Sequence, residues 1–459
     1  MKAIHRLMAF GENPPAPEAA RGVARITTVH SPLATHHAAL ETRRVIVELI
    51  NTGSELMQGH VLNTHQKWLC RQLADLGYTV GRQVAVPDTG ADIQQALRES
   101  LARADLIITT GGLGPTSDDI TRDLIAQLLN KPLREDATIV AHIESFFTKR
   151  NRPMPARNRV QALVPEGALV LANPNGTAPG LVIEVTAGRW LIMLPGPPRE
   201  LRPMFTNHVA PLIRRVLPLR ENFICRTLRT TGIGESLVEE RIGEALKPFV
   251  AAGGELGYCA RTWQVDVRLA ARGPNAAQLV SDAEAQVRER LGSFIYSEQE
   301  EELEAIVVKL FTERKLTLAL AESCTGGGIA NRLTNVPGAS AVLIGGFVTY
   351  SNALKQTALG VRSETLAALG AVSEAVAREM ADGARRATGA DYAISVTGIA
   401  GPDGGTPEKP VGTVFIGLAT PEHTVVERCF NPYDRETFKT ATANQVLEKL
   451  RRAVMARQR

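Results

Sequence analysis

The sequence predicts an α/β protein in which two three-layer α/β/α domains flank a small α+β unit. Three observations lead to this expectation. Short apolar runs alternate with amphipathic helical stretches in both outer parts of the chain, the order of a mainly parallel sheet covered by helices on both faces. Glycine-rich segments follow the apolar runs that end near Thr110, Ala321 and Val396, at strand carboxyl ends, where such sheets bind ligands. A chain of 459 residues with 44% hydrophobic content is also too long for a single core. The expected divisions are an extension over 1–43, domains over 44–217 and 298–459, and the small unit over 218–297.

Taken in order, residues 1–43 carry Pro14, Pro15, Pro17, Pro32, His30, His36 and His37 without helical or strand periodicity, and read as a disordered extension. The His36-His37 pair lacks the further ligands that a metal site needs. Regular structure begins with a buried strand over 45–50, a turn over 51–56, and a helix over 64–76 closed by Gly77. A strand over 79–86, an amphipathic helix over 92–104 and a strand over 105–110 follow, the last running into Gly111-Gly112-Leu113-Gly114. Gly111, Gly112 and Gly114 let the main chain approach a phosphate. Asp118, Asp119 and Asp123 bring carboxylates to a helix start, where the dipole favours them and where they can serve as hard oxygen ligands for a magnesium-like ion. Ordinary helix capping is the alternative for each aspartate taken singly. Two loops rich in Pro and Gly, 173–180 and 194–200, border strands over 181–185 and 190–194 and can wall a site.

In the middle unit, strands over 224–231 and 265–270 surround a helix over 234–246, and a second helix spans 276–291. The last domain opens with a buried strand over 316–321, then Ser323-Cys324-Thr325, three glycines (Gly326, Gly327, Gly328) and a helix from Ile329. Ser323 therefore sits at a strand-to-helix corner whose free N–H groups and dipole stabilise an oxyanion or phosphate, although a serine that merely caps the helix fits as well. A strand-like run over 341–350 ends in Thr349-Tyr350-Ser351-Asn352, placing Lys355 in the first turn of a helix capped by Ser351 or Asn352. A lysine there opposes the helix dipole, which argues for a functional role. A helix over 373–388 closes at Gly389, and a strand over 393–396 opens into Thr397-Gly398 and a segment with Gly401, Gly404 and Gly405. Strands over 411–419 and 424–430 pair, and Asp434 caps a final helix with Arg435 in its first turn.

Composition excludes several classes. A net charge of +4 from 52 basic and 48 acidic residues is too even to indicate nucleic acid or a membrane surface. Five dispersed cysteines give neither a disulfide framework nor zinc-ligand spacing, and no apolar run is long enough to span a bilayer. A cytoplasmic protein is expected.

The segments 111–121, 175–180 and 195–200 resemble the N-terminal half of the CinA family, whose fold is similar to molybdopterin-binding domains. The segments 322–328, 347–355 and 396–405 resemble its C-terminal half, the nicotinamide-mononucleotide amidase domain also found alone as PncC. The resemblance implies that the last domain converts nicotinamide mononucleotide to nicotinate mononucleotide and ammonia, without a cofactor. It implies that the first domain, where active, is a metal-dependent ADP-ribose pyrophosphatase. On this reading Ser323 is the nucleophile, Lys355 its base, and Tyr350 a proton relay, while N–H groups around Gly326 and Gly327 hold the oxyanion. Thr325, Thr397 and Gly398 orient substrate, and Arg435 pairs with the 5′-phosphate. The N-terminal site gathers Glu55, Asp88, Gly111, Gly112, Gly114, Thr116, Asp118, Asp119, Asn175 and Gly176, with Asp88 and Asp119 on a divalent, magnesium-like metal. The middle unit resembles a KH-like domain, but Gly232-Ile233-Gly234-Glu235 lacks the Gly-x-x-Gly spacing that grips RNA, so a spacer or dimerisation role is expected and the chain is expected to be a homodimer.

Chemistry alone leaves Cys324 as a rival nucleophile, because thiols are intrinsically stronger. Three points favour Ser323. Neighbours at a strand end face opposite ways, the domain offers a thiolate no histidine except the distant His423, and the resemblance places the nucleophile at the serine. Two other readings stand beside the enzyme. In one, the N-terminal half is a non-catalytic pterin- or nucleotide-binding module of a competence- or damage-linked partner-binding protein. In the other, suggested by fold alone, the chain remodels molybdenum cofactor.

Overall fold

The computed structural model describes residues 45–299 and 301–456; the extension expected over 1–43, with His36 and His37, lies outside them. The first sheet runs Val80–Val86, Val47–Thr52, Leu106–Thr110, Arg189–Leu194, Gly180–Thr186, Leu169–Leu171. Its first four strands are parallel; Gly180–Thr186 pairs antiparallel with Arg189–Leu194, and Leu169–Leu171 pairs antiparallel with Gly180–Thr186. Val47–Thr52 and Leu106–Thr110 are buried along their whole length, as strands covered on both faces must be. Ile50, Leu97, Ile107, Ile125 and Leu191 belong to the core between this sheet and its helices. From Val47–Thr52 the chain moves to one side to form Val80–Val86, then crosses to the other side to form Leu106–Thr110. The loops leaving the carboxyl ends of these strands therefore diverge and open a crevice.

The middle unit is a four-stranded antiparallel sheet ordered Glu255–Arg261, Gln264–Arg272, Phe223–Thr231, Ile295–Ser297, covered by helices Glu235–Ala251 and Ala276–Leu291. Val238, Ile242, Val267, Val280 and Val287 fill the interface. Glu255–Arg261 is a largely uncovered edge strand without clean alternation, which is why periodicity did not predict it. It joins Gln264–Arg272 through the tight Thr262-Trp263 turn, in which Trp263 takes the left-handed conformation. Ion pairs tie this hairpin to its neighbours: Arg261 to Asp266 (2.8 Å) and to Glu302 (3.2 Å), and Arg229 also to Glu302 (2.9 Å).

The last sheet repeats the crossover of the first. Its order is Leu343–Val348, Leu318–Glu322, Tyr392–Gly398, Thr413–Ala419, Thr424–Phe430, with three parallel strands and two antiparallel. The switch falls between Leu318–Glu322 and Tyr392–Gly398, so Ser323 and Thr397 emerge side by side into the second crevice. The 22-residue helix Arg435–Ala456 packs Phe438, Val446 and Leu447 into the same core as Leu320, Val396 and Ile416. Both outer domains thus have the expected layers, with sheets more mixed than the alternation suggested. No helix among the described residues is long and apolar enough to cross a membrane.

Candidate active site

Ser323 continues the buried strand Leu318–Glu322, and its N–H donates to Val396 O at 3.0 Å. The chain then turns sharply: Gly326 N–H donates back to Ser323 O (3.0 Å), and Gly327, with φ of 89°, supplies the left-handed step before helix Gly328–Thr334. The free N–H groups expected here are not free. The Glu322 carboxylate folds under the corner and accepts from Gly327 N–H (3.0 Å), Ile329 N–H (3.1 Å) and Ala330 N–H (2.8 Å). A buried carboxylate needs such donors, and it takes those at the positive end of the helix. The Gly326 and Gly327 N–H groups, expected to hold an oxyanion, are therefore both taken by acceptors of the corner itself.

Lys355 arrives from the neighbouring strand. Thr349 N–H donates to Glu322 O (2.8 Å), registering the two strand ends, and the Ser351 hydroxyl caps helix Asn352–Leu359 by accepting from Leu354 N–H. In the first turn of that helix, Lys355 is 1% exposed and reaches Ser323 Oγ at 3.0 Å, Thr349 O at 2.7 Å and Tyr350 O at 3.3 Å. No carboxylate pairs with it among the described residues. Burial holds its ammonium below the ordinary lysine range, opposed only in part by the neighbouring Cys324.

Cys324 borders the same cavity as Ser323 but is largely buried. It is 6% exposed, packs in the core with Ile329, Val396 and Phe438, and burial pushes its thiol up to about 12. A thiol held protonated at neutral pH is a poor nucleophile.

A cavity of about 220 Å³ is lined by Ser323, Lys355, Tyr350, Thr397, Gly398 and Arg435, with Asn352 among its other walls. The Thr397 hydroxyl donates to Ala371 O (2.8 Å). Tyr350 is placed differently from the expected relay. It is 61% exposed, its hydroxyl accepts from Arg435 Nη2 at 2.8 Å, and only its backbone carbonyl meets Lys355. Arg435 also donates to Gly401 O (2.9 Å), which fixes its guanidinium at the mouth.

In the first domain, Glu55, Asp88, Gly111, Gly112, Gly114, Asp118 and Asp119 line one cavity of about 380 Å³. Thr116, Asn175 and Gly176 fall outside its lining, where Thr177, Ala178 and Glu200 stand instead. Asp88 accepts from Ser54 N–H (2.8 Å), and Asp119 accepts from Thr116 N–H (2.8 Å) and from the Thr116 hydroxyl. The glycines here make room for carboxylates as well as for a ligand: a Cβ on Gly114 would lie 2.3 Å from Asp119 Oδ2, and one on Gly176 would lie 2.0 Å from Glu200 Oε2. Among the described residues no three His, Cys, Asp or Glu side chains are arranged to hold a metal by themselves. Asp88 and Asp119 instead suit a magnesium-like ion, which takes one or two carboxylates and completes its shell with water and substrate phosphate oxygens.

Three family models match the chain in order. They are the probable molybdopterin binding domain over 48–215, the damage-inducible protein CinA KH domain over 225–297, and the CinA C-terminal domain over 300–454. A competence-damage inducible protein of Symbiobacterium thermophilum is 45% identical over 428 residues, covering 90% of this chain and 99% of its own. The chain belongs to the CinA family. A CinA-like protein of Gemmatimonas aurantiaca is 42% identical over 412 residues, covering 89% of this chain and 96% of its own. Among solved structures, a competence/damage inducible protein of Agrobacterium tumefaciens shares 42% identity over 33% of this chain and 93% of its own, with a TM-score of 0.32.

Within this CinA-family chain, sequence reasoning passed over Glu200 and Glu322. Glu200 lay in a loop read as a wall; it is buried, accepts from Asn173 Nδ2 at 2.8 Å, and burial raises its carboxyl above the usual range. Glu322 precedes the serine motif, and a carboxylate at the end of an apolar strand was the available signal. An ionisable residue in such a run must find donors within reach.

Proposed function

We propose that the C-terminal domain is a serine amidohydrolase acting on the carboxamide of nicotinamide mononucleotide, with Ser323 as nucleophile and Lys355 as base. The observation that carries this reading is the 3.0 Å contact between Lys355 Nζ and Ser323 Oγ inside a cavity with no carboxylate on the lysine. A neutral amine has two hydrogens and one lone pair. Thr349 O and Tyr350 O accept the hydrogens, which leaves the lone pair to accept the Ser323 hydroxyl proton. Ser323 Oγ attacks the amide carbon as its proton passes to Nζ, and the carbonyl oxygen becomes an oxyanion that N–H donors of the strand-to-helix corner would stabilise. Collapse breaks the C–N bond while Lys355 returns the proton to the leaving ammonia. Water, deprotonated by the same amine, then hydrolyses the ester to the carboxylate. The test is product analysis: the purified protein should convert nicotinamide mononucleotide to equimolar ammonia and nicotinate mononucleotide.

The N-terminal cavity favours a second activity, cleavage of the ADP-ribose pyrophosphate. Five carboxylates around a glycine-rich loop, Glu55, Asp88, Asp118, Asp119 and Glu200, support this reading. Asp88 and Asp119 would hold a divalent ion, which when bound neutralises charge on the pyrophosphate. The loop from Gly111 to Gly114 would give the substrate close access to the main chain, and Glu200, which accepts from Asn173, would exchange a proton with attacking water. Release of AMP from ADP-ribose only in the presence of divalent metal would support it against the non-catalytic binding module.

A further inference from the structure

The N-terminal cavity has a one-sided charge. Glu55, Asp88, Asp118, Asp119 and Glu200 line it, and among the described residues no lysine or arginine does. Burial raises the Glu200 carboxyl above its usual range, yet the other carboxylates still exceed the charge of one divalent ion. His65 meets Gly196 O at the cavity wall, but burial lowers its pKa and favours the neutral ring. An anionic pyrophosphate approaching this cavity therefore meets a negative field, which positive charge at the mouth must offset.

Two exposed arginines stand beside lining carboxylates. Arg157 lies in the helical turn Ala156–Ala162, which three hydrogen bonds brace against the cavity. Gln161 Nε2 donates to Leu113 O of the glycine-rich loop (3.4 Å), Asn158 Nδ2 donates to Gln161 Oε1 (3.0 Å), and the buried Arg122 donates to Val160 O (2.6 Å). The Thr116 hydroxyl, and to a lesser degree the Arg157 guanidinium, hold the Asp118 carboxyl below its usual range. Arg157 makes no hydrogen bond or ion pair among the described residues. Arg199 follows the Pro195-Gly196-Pro197 loop on another wall. Its side chain is 77% exposed, and its Nε lies 3.8 Å from Oε1 of the buried Glu200, a long contact that leaves most of its N–H donors to solvent. Exposed ion pairs of this kind contribute little to a fold, whereas a planar guanidinium matches phosphate oxygens with paired donors.

We propose that Arg157 and Arg199 form a cationic rim that captures the anionic pyrophosphate of the nucleotide at the mouth of the N-terminal cavity and offsets the field of its carboxylates. The inference rests on the pyrophosphatase reading for the identity of the substrate. It assigns substrate binding to two residues outside the glycine-rich loop and the aspartates on which that reading stands. The rim acts on capture and not on bond cleavage, so it governs KM and the salt dependence of kcat/KM and leaves kcat alone.

The experiment uses the full chain as wild type, Arg157→Ala, Arg199→Ala, the double alanine variant and the double lysine variant, which keeps both charges. Steady-state AMP release from ADP-ribose with magnesium is measured at low and high ionic strength. Each alanine variant should raise KM about fivefold, the scale of one exposed charge contact, and the double variant by more than tenfold, with kcat unchanged. The double alanine variant should also lose most of the salt dependence of kcat/KM, and the double lysine variant should retain it. An unchanged KM in the double alanine variant, or a fall in kcat alone, overturns the proposal. Calorimetric titration with ADP-ribose at low ionic strength, with metal removed by chelator, separates the two readings. The wild type should bind and the double alanine variant should bind at least tenfold more weakly. If the wild type releases no AMP with magnesium the pyrophosphatase reading fails, yet this difference in binding still supports the rim. No binding by the wild type, or equal binding by both, overturns it. Both side chains are exposed, so the unfolding temperatures should match; if the double alanine variant falls, the two single variants decide.

Discussion

Lys355 is buried against Ser323 with two carbonyls and, among the described residues, no carboxylate around it, and this determines how it must titrate. Its folded-state pKa lies below its unfolded value, so over the interval between the two the unfolded chain binds more protons and stability rises with pH. Lys355→Met removes that dependence. The stability advantage of the variant over the wild type should therefore be greatest near neutral pH and shrink toward pH of about 10, as read by denaturant unfolding at several pH values; a constant difference would mean that the lysine is charged in the fold. Cys324 supplies a second check at this scale. With its thiol buried and held protonated, iodoacetamide should leave wild-type turnover intact, and Cys324→Ala should keep most of it. Activity lost to the reagent in the wild type but spared in Cys324→Ala would transfer the nucleophile to the cysteine.

At the scale of elements, the serine corner depends on Glu322. Its two oxygens take three N–H groups of the following turn and helix, and the amide of Glu322→Gln would set an NH2 against some of those donors. The variant should lose about 2–3 kcal/mol of stability, the scale of hydrogen bonds to a charged partner; a variant as stable as wild type would show that the carboxylate is not holding the corner. The location of this corner was legible in the sequence, because an apolar run, a serine and three glycines leave few alternatives. Which N–H groups remain available was not, since that depends on where the Glu322 side chain folds. Tyr350 shows the same limit: its place after the strand was predictable, but its ring turns to Arg435, a contact across 85 residues. Three-residue strands such as Leu133–Glu135 and Leu163–Pro165 carry too little periodicity to be seen before pairing. The exposed edge strand Glu255–Arg261 was missed for want of alternation.

For the whole molecule, the same strand crossover occurs twice and sets each site at its own switch point, one beside Thr52 and Gly111 and one beside Ser323 and Thr397. The domain order was readable because each half carries its own glycine-rich motifs. Two separate cavities predict separable activities: Asp119→Ala should abolish metal-dependent AMP release from ADP-ribose and leave ammonia release from nicotinamide mononucleotide unchanged. Retained cleavage would remove Asp119 from the N-terminal chemistry. The most direct test of the central claim is the rate of ammonia release from nicotinamide mononucleotide by the purified full chain, measured for wild type, Ser323→Ala and Lys355→Ala at equal folded concentration. The Ser323–Lys355 assignment predicts measurable turnover by the wild type and a fall of roughly a thousandfold or more in both variants, since nucleophile and base act as one unit; substantial turnover by Ser323→Ala would contradict it.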